Sequence, residues 1–287
     1  MTLPTKMLDH EDRDATAGFT LVELLVILAL LALSAVLVVP ALARAKGDAR
    51  AFQCLNNTHE LNRAWRMWTD DNQDLLLYSS GLSSVPASDA RTWVFGDVDF
   101  DGNNRATWDV TYAIAKSPLW PYCGTNADIW RCPADGSYVQ TASGIKPRVR
   151  SYAMNLYLGG FAGTGGGWPL VSNLRLYFKY SEIADPSPAH LFVFTEMRPD
   201  GIVWNNFMTA MDGYPSSPAL FQFSDFPGYS HDGAAGFSFA DGHGELHQWK
   251  DRRTTPPTIP VSPTGPQIIS PNNEDVAWLQ DHSTRPK

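Results

Sequence analysis

The amino-terminal region contains an apolar segment of membrane-spanning length that follows a glycine and includes one acid. Residues 19–39 carry only three polar side chains, those of Thr20, Glu23 and Ser34. At about 1.5 Å per residue, a helix of this length matches a hydrocarbon core of about 30 Å. An ionisable group inside a span costs on the order of 3 kcal/mol, so Glu23 needs a functional reason. The segment therefore predicts a long amino-terminal helix in which Glu23 has a functional role.

Cleavage of the bond between Gly18 and Phe19 would supply that reason. The new amine at Phe19 would lie one helical turn from the Glu23 carboxylate, in the same chain or in a neighbouring one. In a bundle of such spans, the amine of one subunit can neutralise Glu23 of the next, because an unpaired buried charge is far costlier than a pair. The residues thus predict a cleaved helix in which Glu23 is an assembly contact.

The run Gly18-Phe19-Thr20-Leu21-Val22-Glu23 resembles the class III signal of type IV prepilins and type II secretion pseudopilins. The resemblance implies that prepilin peptidase cuts between Gly18 and Phe19 and methylates the amine of Phe19. Pro40 resembles the proline that softens pilin helices. The implied partners are prepilin peptidase, other pilin or pseudopilin subunits, an inner-membrane assembly platform and the lipid bilayer. The implied location is the inner membrane, with a cytoplasmic amino terminus, a periplasmic head and incorporation into a periplasmic or surface filament.

Two other interpretations of this segment stay open. A secretory signal peptide could be cleaved after Ala43 or Ala45, although the apolar run exceeds the usual length of about 7 to 15 residues and residues 1–18 carry four acids against two bases. A plain single-span anchor would merely tolerate Glu23. Three bases just beyond the span also favour the opposite orientation under the positive-inside rule. These bases are Arg44, Lys46 and Arg50.

Composition and patterning predict the organisation of the rest of the chain. The 287 residues have a formal net charge of −8 and no block of Lys or Arg, which disfavours nucleic acid as a partner. Many aromatic residues favour strands, so we expect an α+β fold in which a long helix packs on a head with an antiparallel sheet. The expected strands are 91–95, 149–158, 174–180, 191–196, 201–207 and 236–249. The expected regions are a leader (1–18), a transmembrane helix (19–39), an amphipathic stalk helix (40–74), a globular head (75–250) and a Pro-rich, mostly extended tail (251–287) with Trp278 as a docking anchor.

A second motif lies near the end of the head, where His231 is followed after nine residues by Asp241-Gly242. It resembles the H-x9-DG carboxy-terminal domain that accompanies prepilin-type amino termini. The residues themselves predict a hairpin, with His231 donating a hydrogen bond to a carboxylate such as that of Asp241. A metal site formed by His231, Asp241, His243 and His247 is the alternative, but on a strand the last two lie about 13 Å apart, too far for one ion.

An acidic loop offers a candidate calcium site. Asp97, Asp99, Asp101 and Asn103 alternate as the oxygen ligands of a calcium loop do, and Gly102 supplies the bend. Trp108 occupies the twelfth position, where such a loop has a bidentate Glu. A solvated Asp/Asn turn is therefore the competing interpretation, and no other cofactor is expected.

The three cysteines allow one disulfide and one free thiol. A Cys123–Cys132 bond would close a short loop, and a Cys54–Cys132 bond would connect the stalk to the head. The family resemblance places cysteines at the positions of Cys54 and Cys132 and so favours the second pair. Three reduced, buried thiols are the remaining alternative.

The sequence shows no catalytic motif, so we expect a structural subunit of a pilin-like filament rather than an enzyme. A membrane-anchored glycan-binding, adhesin-like head is the alternative, in which Trp93, Trp168 or Trp204 would stack on sugars. A glycan-processing head, using paired carboxylates, is a further alternative.

Overall fold

The computed structural model describes residues 20–81, 91–162, 173–202, 204–257 and 268–287. The chain divides into two compact units, Met1–Lys46 and Gly47–Lys287. The predicted leader and the two residues of the cleavage site, Gly18 and Phe19, lie outside the described residues.

Helix α1 (Leu21–Asp71) starts at the predicted span and contains Pro40. Its amino-terminal part exposes large apolar side chains, such as Leu21 at 74% and Val36 at 70%. One 18-residue window of the helix has a mean hydropathy of 3.0, and by length and composition the helix can cross a membrane. The polar Ser34 is satisfied within the helix, because its hydroxyl donates to the carbonyl of Leu31.

The carboxy-terminal part of α1, within the second unit, buries one face against the head. The buried positions recur three or four residues apart, which is the period of an amphipathic helix. They are Cys54, Asn57, Thr58, Leu61, Asn62, Ala64, Trp65, Trp68 and Thr69. The amide of Asn62 donates to the Phe239 carbonyl at 2.7 Å, and that of Asn57 donates to the Arg131 carbonyl at 2.9 Å. Between Cys54 and Thr69, the helix therefore presents one buried face to the head.

The head is built on a five-stranded sheet with the order β5-β3-β4-β7-β8. Its pairs are antiparallel except β3 with β5, which is parallel. The α+β class is thus confirmed, with a mixed sheet rather than a purely antiparallel one. The strands are β1 (Tyr138–Thr141), β2 (Gly144–Pro147), β3 (Tyr152–Asn155), β4 (Phe192–Glu196), β5 (Asn206–Phe207), β6 (Gln222–Phe223), β7 (Ala234–Phe239), β8 (Gly244–Gln248) and β9 (Ile268–Ile269), and the short helices are α2 (Arg105–Trp108) and α3 (Glu274–Asp281).

The two faces of this sheet carry separate apolar cores. Tyr152 and Met154 of β3 pack in the core that contains Trp65 of α1. Ala153 and Phe237 pack in the other core, together with α3. Side chains alternate between the faces because the period of a strand is two residues.

Two predicted strands are wrong. Residues 91–95 and 174–180 make only isolated bridges, such as Tyr78 with Thr92 and Leu158 with Tyr177. At 91–95 the physical reason is that side chains donate hydrogen bonds to backbone carbonyls that would otherwise pair with a neighbouring strand. Ser117 donates to the Trp93 carbonyl, and Asn205 donates to that of Val94.

The carboxy-terminal tail also differs from the prediction, because residues 268–287 pack on the head instead of remaining extended. Asn273 caps α3 by accepting hydrogen bonds from the N–H groups of Asp275 and Val276. Val276 and Leu279 are buried in the second core. Trp278 stacks on His247, with ring centroids 3.7 Å apart, so its predicted role as a docking anchor is confirmed.

Candidate functional site

The amino end of α1 is closed by a reciprocal pair of side chains. The N–H and hydroxyl of Thr20 donate to Glu23 Oε2 at 2.9 and 2.8 Å, and the Glu23 N–H lies 3.2 Å from Thr20 Oγ1. This is a capping box, in which Ser or Thr is followed three residues later by Glu. The Thr-x-x-Glu spacing is present in the sequence, although Glu23 was predicted only as an assembly contact. Glu23 therefore also stabilises the first turn of the helix.

A buried cluster of four ionisable side chains lies in the head. Cys54 comes from α1, Cys132 from the loop after a 3-10 turn (Asp128–Trp130), Glu196 from the end of β4, and His231 from the turn before β7. One ligand atom from each lies within 4.8 Å of the others. Across the described parts of the chain, no other group of three or more His, Cys, Asp or Glu side chains converges in this way.

The distances inside the cluster are close to those of direct contacts. His231 Nε2 lies 3.1 Å from Glu196 Oε2 and 3.3 Å from Cys132 Sγ. The Cys54 thiol donates to Glu196 Oε2 with an S···O distance of 3.7 Å. Cys54 and Cys132 are fully buried, and Glu196 is 1% exposed. The four groups thus share one small, buried volume.

Hydrogen bonds from the surrounding protein hold both sulfurs. The Tyr152 hydroxyl donates to Cys54 Sγ at 3.2 Å. The backbone N–H of Ala134 donates to Cys132 Sγ at 3.3 Å, across the turn that Pro133 begins. Donors aimed at a sulfur favour its thiolate form.

Neighbouring groups shift the pKa values of both thiols and of the imidazole. Burial, reinforced by Cys132 and the charge of Glu196, raises the pKa of Cys54 well above its usual value. The hydrogen bond with Cys54 is the largest influence on Cys132, and together with His231 it lowers the pKa of that thiol. Burial alone would lower the pKa of His231, but hydrogen bonds with Cys132 and Glu196 prevail and raise it to about 10. Cys132 is therefore the thiol that ionises more readily.

The H-x9-DG motif is divided between the two ends of β7. His231 pairs with a carboxylate as predicted, but the partner is Glu196 rather than Asp241. Asp241 Oδ1 instead accepts from the N–H of His243 at 3.1 Å and lies 2.7 Å from its Nδ1. The six-residue strand between the two ends separates them by about 20 Å. Gly242 has a φ of 102°, which explains why this turn needs a glycine.

The alternative metal site that the sequence predicted is not assembled. His231, Asp241, His243 and His247 do not converge, because β7 lies between the first residue and the turn that holds the second and third. His247 stacks on Trp278 and lies 3.7 Å from Glu245. The side chains that accompany His231 are those of the two cysteines and Glu196, which lie far away in the sequence.

The cysteines show which predicted pair is close in space. Cys54, Cys123 and Cys132 are all free thiols, and Cys54 and Cys132 meet in the cluster. Cys123 lies outside the cluster, and burial, with a smaller effect of Glu60, raises its pKa to about 12. The proximity agrees with the favoured pair, while a covalent Cys54–Cys132 bond stays a prediction.

The acidic loop uses its oxygens for its own turns. Asp99 Oδ1 accepts from the N–H of Asp101 and from the Thr107 hydroxyl, both at 2.9 Å. Asp101 Oδ1 accepts from the N–H of Asn103 at 2.9 Å. Asp97, Asp99 and Asp101 do not converge as a group of ligands. Calcium binding stays a prediction, and these contacts favour the turn interpretation.

The tryptophans considered for sugar stacking differ in placement. Trp93 is fully buried and stacks on Trp130, with centroids 5.7 Å apart. Trp204 is half-buried, and Trp168 lies outside the described residues. Trp93 is thus a core residue and is not a surface for a glycan.

Comparison with known proteins identifies the amino-terminal segment. Residues 13–39 match the family model of the prokaryotic N-terminal methylation motif. Searches of curated proteins and of solved structures found no match. The matched residues include the predicted cleavage bond, the capping box and the apolar segment. The chain therefore carries a type IV pilin-like class III signal on a helix that fits a membrane anchor, which marks it as a pilin-like substrate of prepilin peptidase. The H-x9-DG domain remains a resemblance.

Proposed function

We propose that the processed chain is a structural subunit of a pseudopilus or type IV pilus-like filament. The observation that carries this proposal is the match of residues 13–39 to the methylation motif, at the start of a helix whose apolar side chains are exposed. Apolar side chains at this density need either lipid or other copies of the same helix around them. A pilin-like subunit meets both environments, because lipid surrounds the helix in the membrane and other copies of it surround the helix in the filament.

Glu23 has two tasks in this proposal. Before processing, it accepts hydrogen bonds from Thr20. After cleavage the methylated amine of Phe19 carries a positive charge next to the same carboxylate. In the filament, the amine of one subunit and Glu23 of its neighbour would neutralise each other away from water, which fixes the axial register between subunits.

The head is proposed to be a non-enzymatic domain that the filament displays or uses for contacts between subunits. Two buried carboxylates of the head support this assignment, since each is engaged in contacts within the protein. Glu196 belongs to the buried cluster, and Asp200 forms a buried ion pair with Arg198. The proposed orientation places the head in the periplasm, with prepilin peptidase and an inner-membrane assembly platform as partners.

Three variants test the assembly proposal in cells that contain the peptidase and the filament machinery. Gly18→Leu should remain unprocessed, because the peptidase needs a small residue before the cut. Glu23→Gln should be cleaved but enter the filament fraction at least about tenfold less, as expected for the loss of a contact of about 1.4 kcal/mol. Asp48→Asn is the matched control, because Asp48 is an exposed acid on the same helix and should assemble normally.

Each result has a distinct meaning. Normal incorporation of the Glu23→Gln protein would refute the charge-pair contact. A wild-type chain that stays uncleaved in these cells would refute the proposed function as a whole.

A further inference from the structure

We propose that Cys54, Cys132, Glu196 and His231 form a structural metal site for Zn²⁺. This site is independent of amino-terminal processing, because all four ligands lie in the second unit. The two proposals can therefore fail separately.

The geometry of the cluster matches a tetrahedral zinc site. With bonds of about 2.0 to 2.3 Å, neighbouring ligand atoms of a zinc tetrahedron lie about 3.3 to 3.8 Å apart. The observed separations are 3.1 Å from His231 to Glu196, 3.3 Å from His231 to Cys132 and 3.7 Å from Cys54 to Glu196. All pairs lie within 4.8 Å, so small side-chain movements are enough to surround one ion.

The donor set selects the kind of metal. Two sulfurs exclude calcium and magnesium, which prefer oxygen ligands. Sulfur, imidazole and carboxylate donors together are typical of zinc, and four protein ligands leave no position for a reacting water. The ion would therefore stabilise the fold rather than catalyse a reaction.

The surroundings provide the support that metal ligands need. The Ala134 N–H and the Tyr152 hydroxyl point at the two sulfurs. Such outer contacts orient the ligands and stabilise their ionised forms. Gly228 leaves room for Glu196, because a Cβ on Gly228 would lie 2.7 Å from Glu196 Cγ. Any larger residue at position 228 would therefore collide with this carboxylate.

The placement of the ligands explains what the ion would stabilise. Cys54 is 142 residues from Glu196, and Cys132 is 99 residues from His231. One ion would thus connect α1, the loop after residue 130, β4 and the hairpin of β7 and β8. A cross-link between such distant segments restricts the unfolded chain strongly.

A Cys54–Cys132 disulfide competes directly with this site. Formation of the S–S bond would remove two electrons and two protons from the thiols and would consume both sulfur ligands. His231 and Glu196 would then remain as a buried ion pair. Metal and disulfide are therefore mutually exclusive outcomes that one preparation can distinguish.

The first test uses the full-length protein, purified in detergent without a polyhistidine tag. Elemental analysis should find about one zinc per chain. Alkylation after denaturation with a chelator should then label all three cysteines. Less than about a tenth of an equivalent of zinc, or a peptide map with a Cys54–Cys132 disulfide, would overturn the proposal.

The second test identifies the ligands. His231→Gln should lower zinc affinity at least about tenfold, the range seen when a site loses one of its supporting contacts. Cys123→Ser is the matched control, because this cysteine lies outside the cluster and its loss should leave zinc content unchanged. Equal zinc binding by the His231→Gln protein would contradict the assignment.

A third measurement does not depend on any variant folding. Co²⁺ exchanged into the wild-type protein should give the intense visible bands of tetrahedral coordination and near-ultraviolet bands from thiolate charge transfer. A weak octahedral spectrum without thiolate bands would overturn the proposed site.

Discussion

The imidazole of His231 lies 3.1 Å from the carboxylate of Glu196 inside the head. Each of the two side chains is only 2% exposed. The histidine of the H-x9-DG motif thus faces an acid at the end of β4 rather than the aspartate of its own motif. This contact ties the hairpin of β7 and β8 to the central strand of the sheet. It also places His231 beside two thiols, where it can serve as a metal ligand.

Gly228 should be essential for the position of Glu196. A Cβ at Gly228 would lie 2.7 and 2.8 Å from Cγ and Cδ of Glu196, and the buried side chain has little space to move away. Gly228→Ala should therefore reduce zinc affinity at least about tenfold. Gly136→Ala is the control, because a Cβ there meets nothing within 4 Å. Competition with a chromogenic chelator measures both, and equal affinities would contradict the proposed role of Gly228.

Removal of the metal should lower thermal stability. At a free zinc concentration of 1,000 times Kd, binding adds about 4 kcal/mol. For a unit of this size, each kcal/mol of lost stability lowers Tm by about 2 to 4 °C. A chelator should therefore lower Tm by about 8 to 16 °C. Differential scanning calorimetry of the full chain checks this, with the His231→Gln protein, which binds zinc more weakly, as a control whose Tm should fall less. A wild-type Tm that does not change when the chelator is added would contradict a structural metal.

His247 should make the head less stable in acid. Burial against Trp278 lowers the pKa of His247 from 6.5 to about 4, with Asp275 opposing this and His282 and Lys250 adding to it. The folded state thus favours the neutral ring, and this contribution is complete above pH 6.5 and is lost as the pH falls towards 4. The loss between pH 7 and 4.5 is roughly 2 kcal/mol.

Replacing His247 by an aromatic residue that cannot be protonated separates the effect of its titration from that of its packing. His247→Phe retains stacking on Trp278, so its stability should fall less than that of the wild type between pH 7 and 4.5. Tryptophan fluorescence during thermal unfolding at both pH values gives the comparison. Glu245 lies 3.7 Å from His247, so Glu245→Gln serves as a control for its charge. Equal acid sensitivity of wild type and His247→Phe would contradict the prediction.

Asn273 should contribute to the docking of the tail. Its side chain accepts from the N–H groups of Asp275 and Val276 and donates to Ser270 and Thr254. Asn273→Ala should reduce the free energy of unfolding by about 1 to 2 kcal/mol, the typical effect of losing an N-cap. Glu274→Ala removes only an exposed ion pair with Lys250 and should change stability by less than about 1 kcal/mol. Urea unfolding compares the two, and equal losses would show that the cap has no special role.

The amino-terminal segment and the hairpin were predictable because their signals are local. The apolar run and the Gly18-to-Glu23 motif fall within one short stretch of sequence. Phe237 and Phe239 alternate onto one face, and the strands β7 and β8 follow that pattern. By contrast, the aromatic run around Trp93 predicted a strand, but Trp93 fills the core and its carbonyl accepts from Ser117. Composition could not distinguish an aromatic run that forms a strand from one that fills the core without forming a strand.

The buried cluster could not be derived from local spacing. Cys54 and Glu196 are 142 residues apart, and no short motif joins them. The family resemblance paired Cys54 with Cys132 and drew attention to His231, but Glu196 carried no signal in the sequence. It is the last residue of an apolar strand, and only the pairing of β4 with β7 brings it to His231.

The mass of the native amino-terminal peptide tests the central claim most directly. Protein isolated from its own membranes should begin with N-methyl-Phe19, the product of cleavage after Gly18. An amino terminus at Met1 would show a plain anchor, and one at Arg44 or Lys46 would show a secretory signal peptide. Either of these results would contradict the account of the chain as a processed, pilin-like subunit.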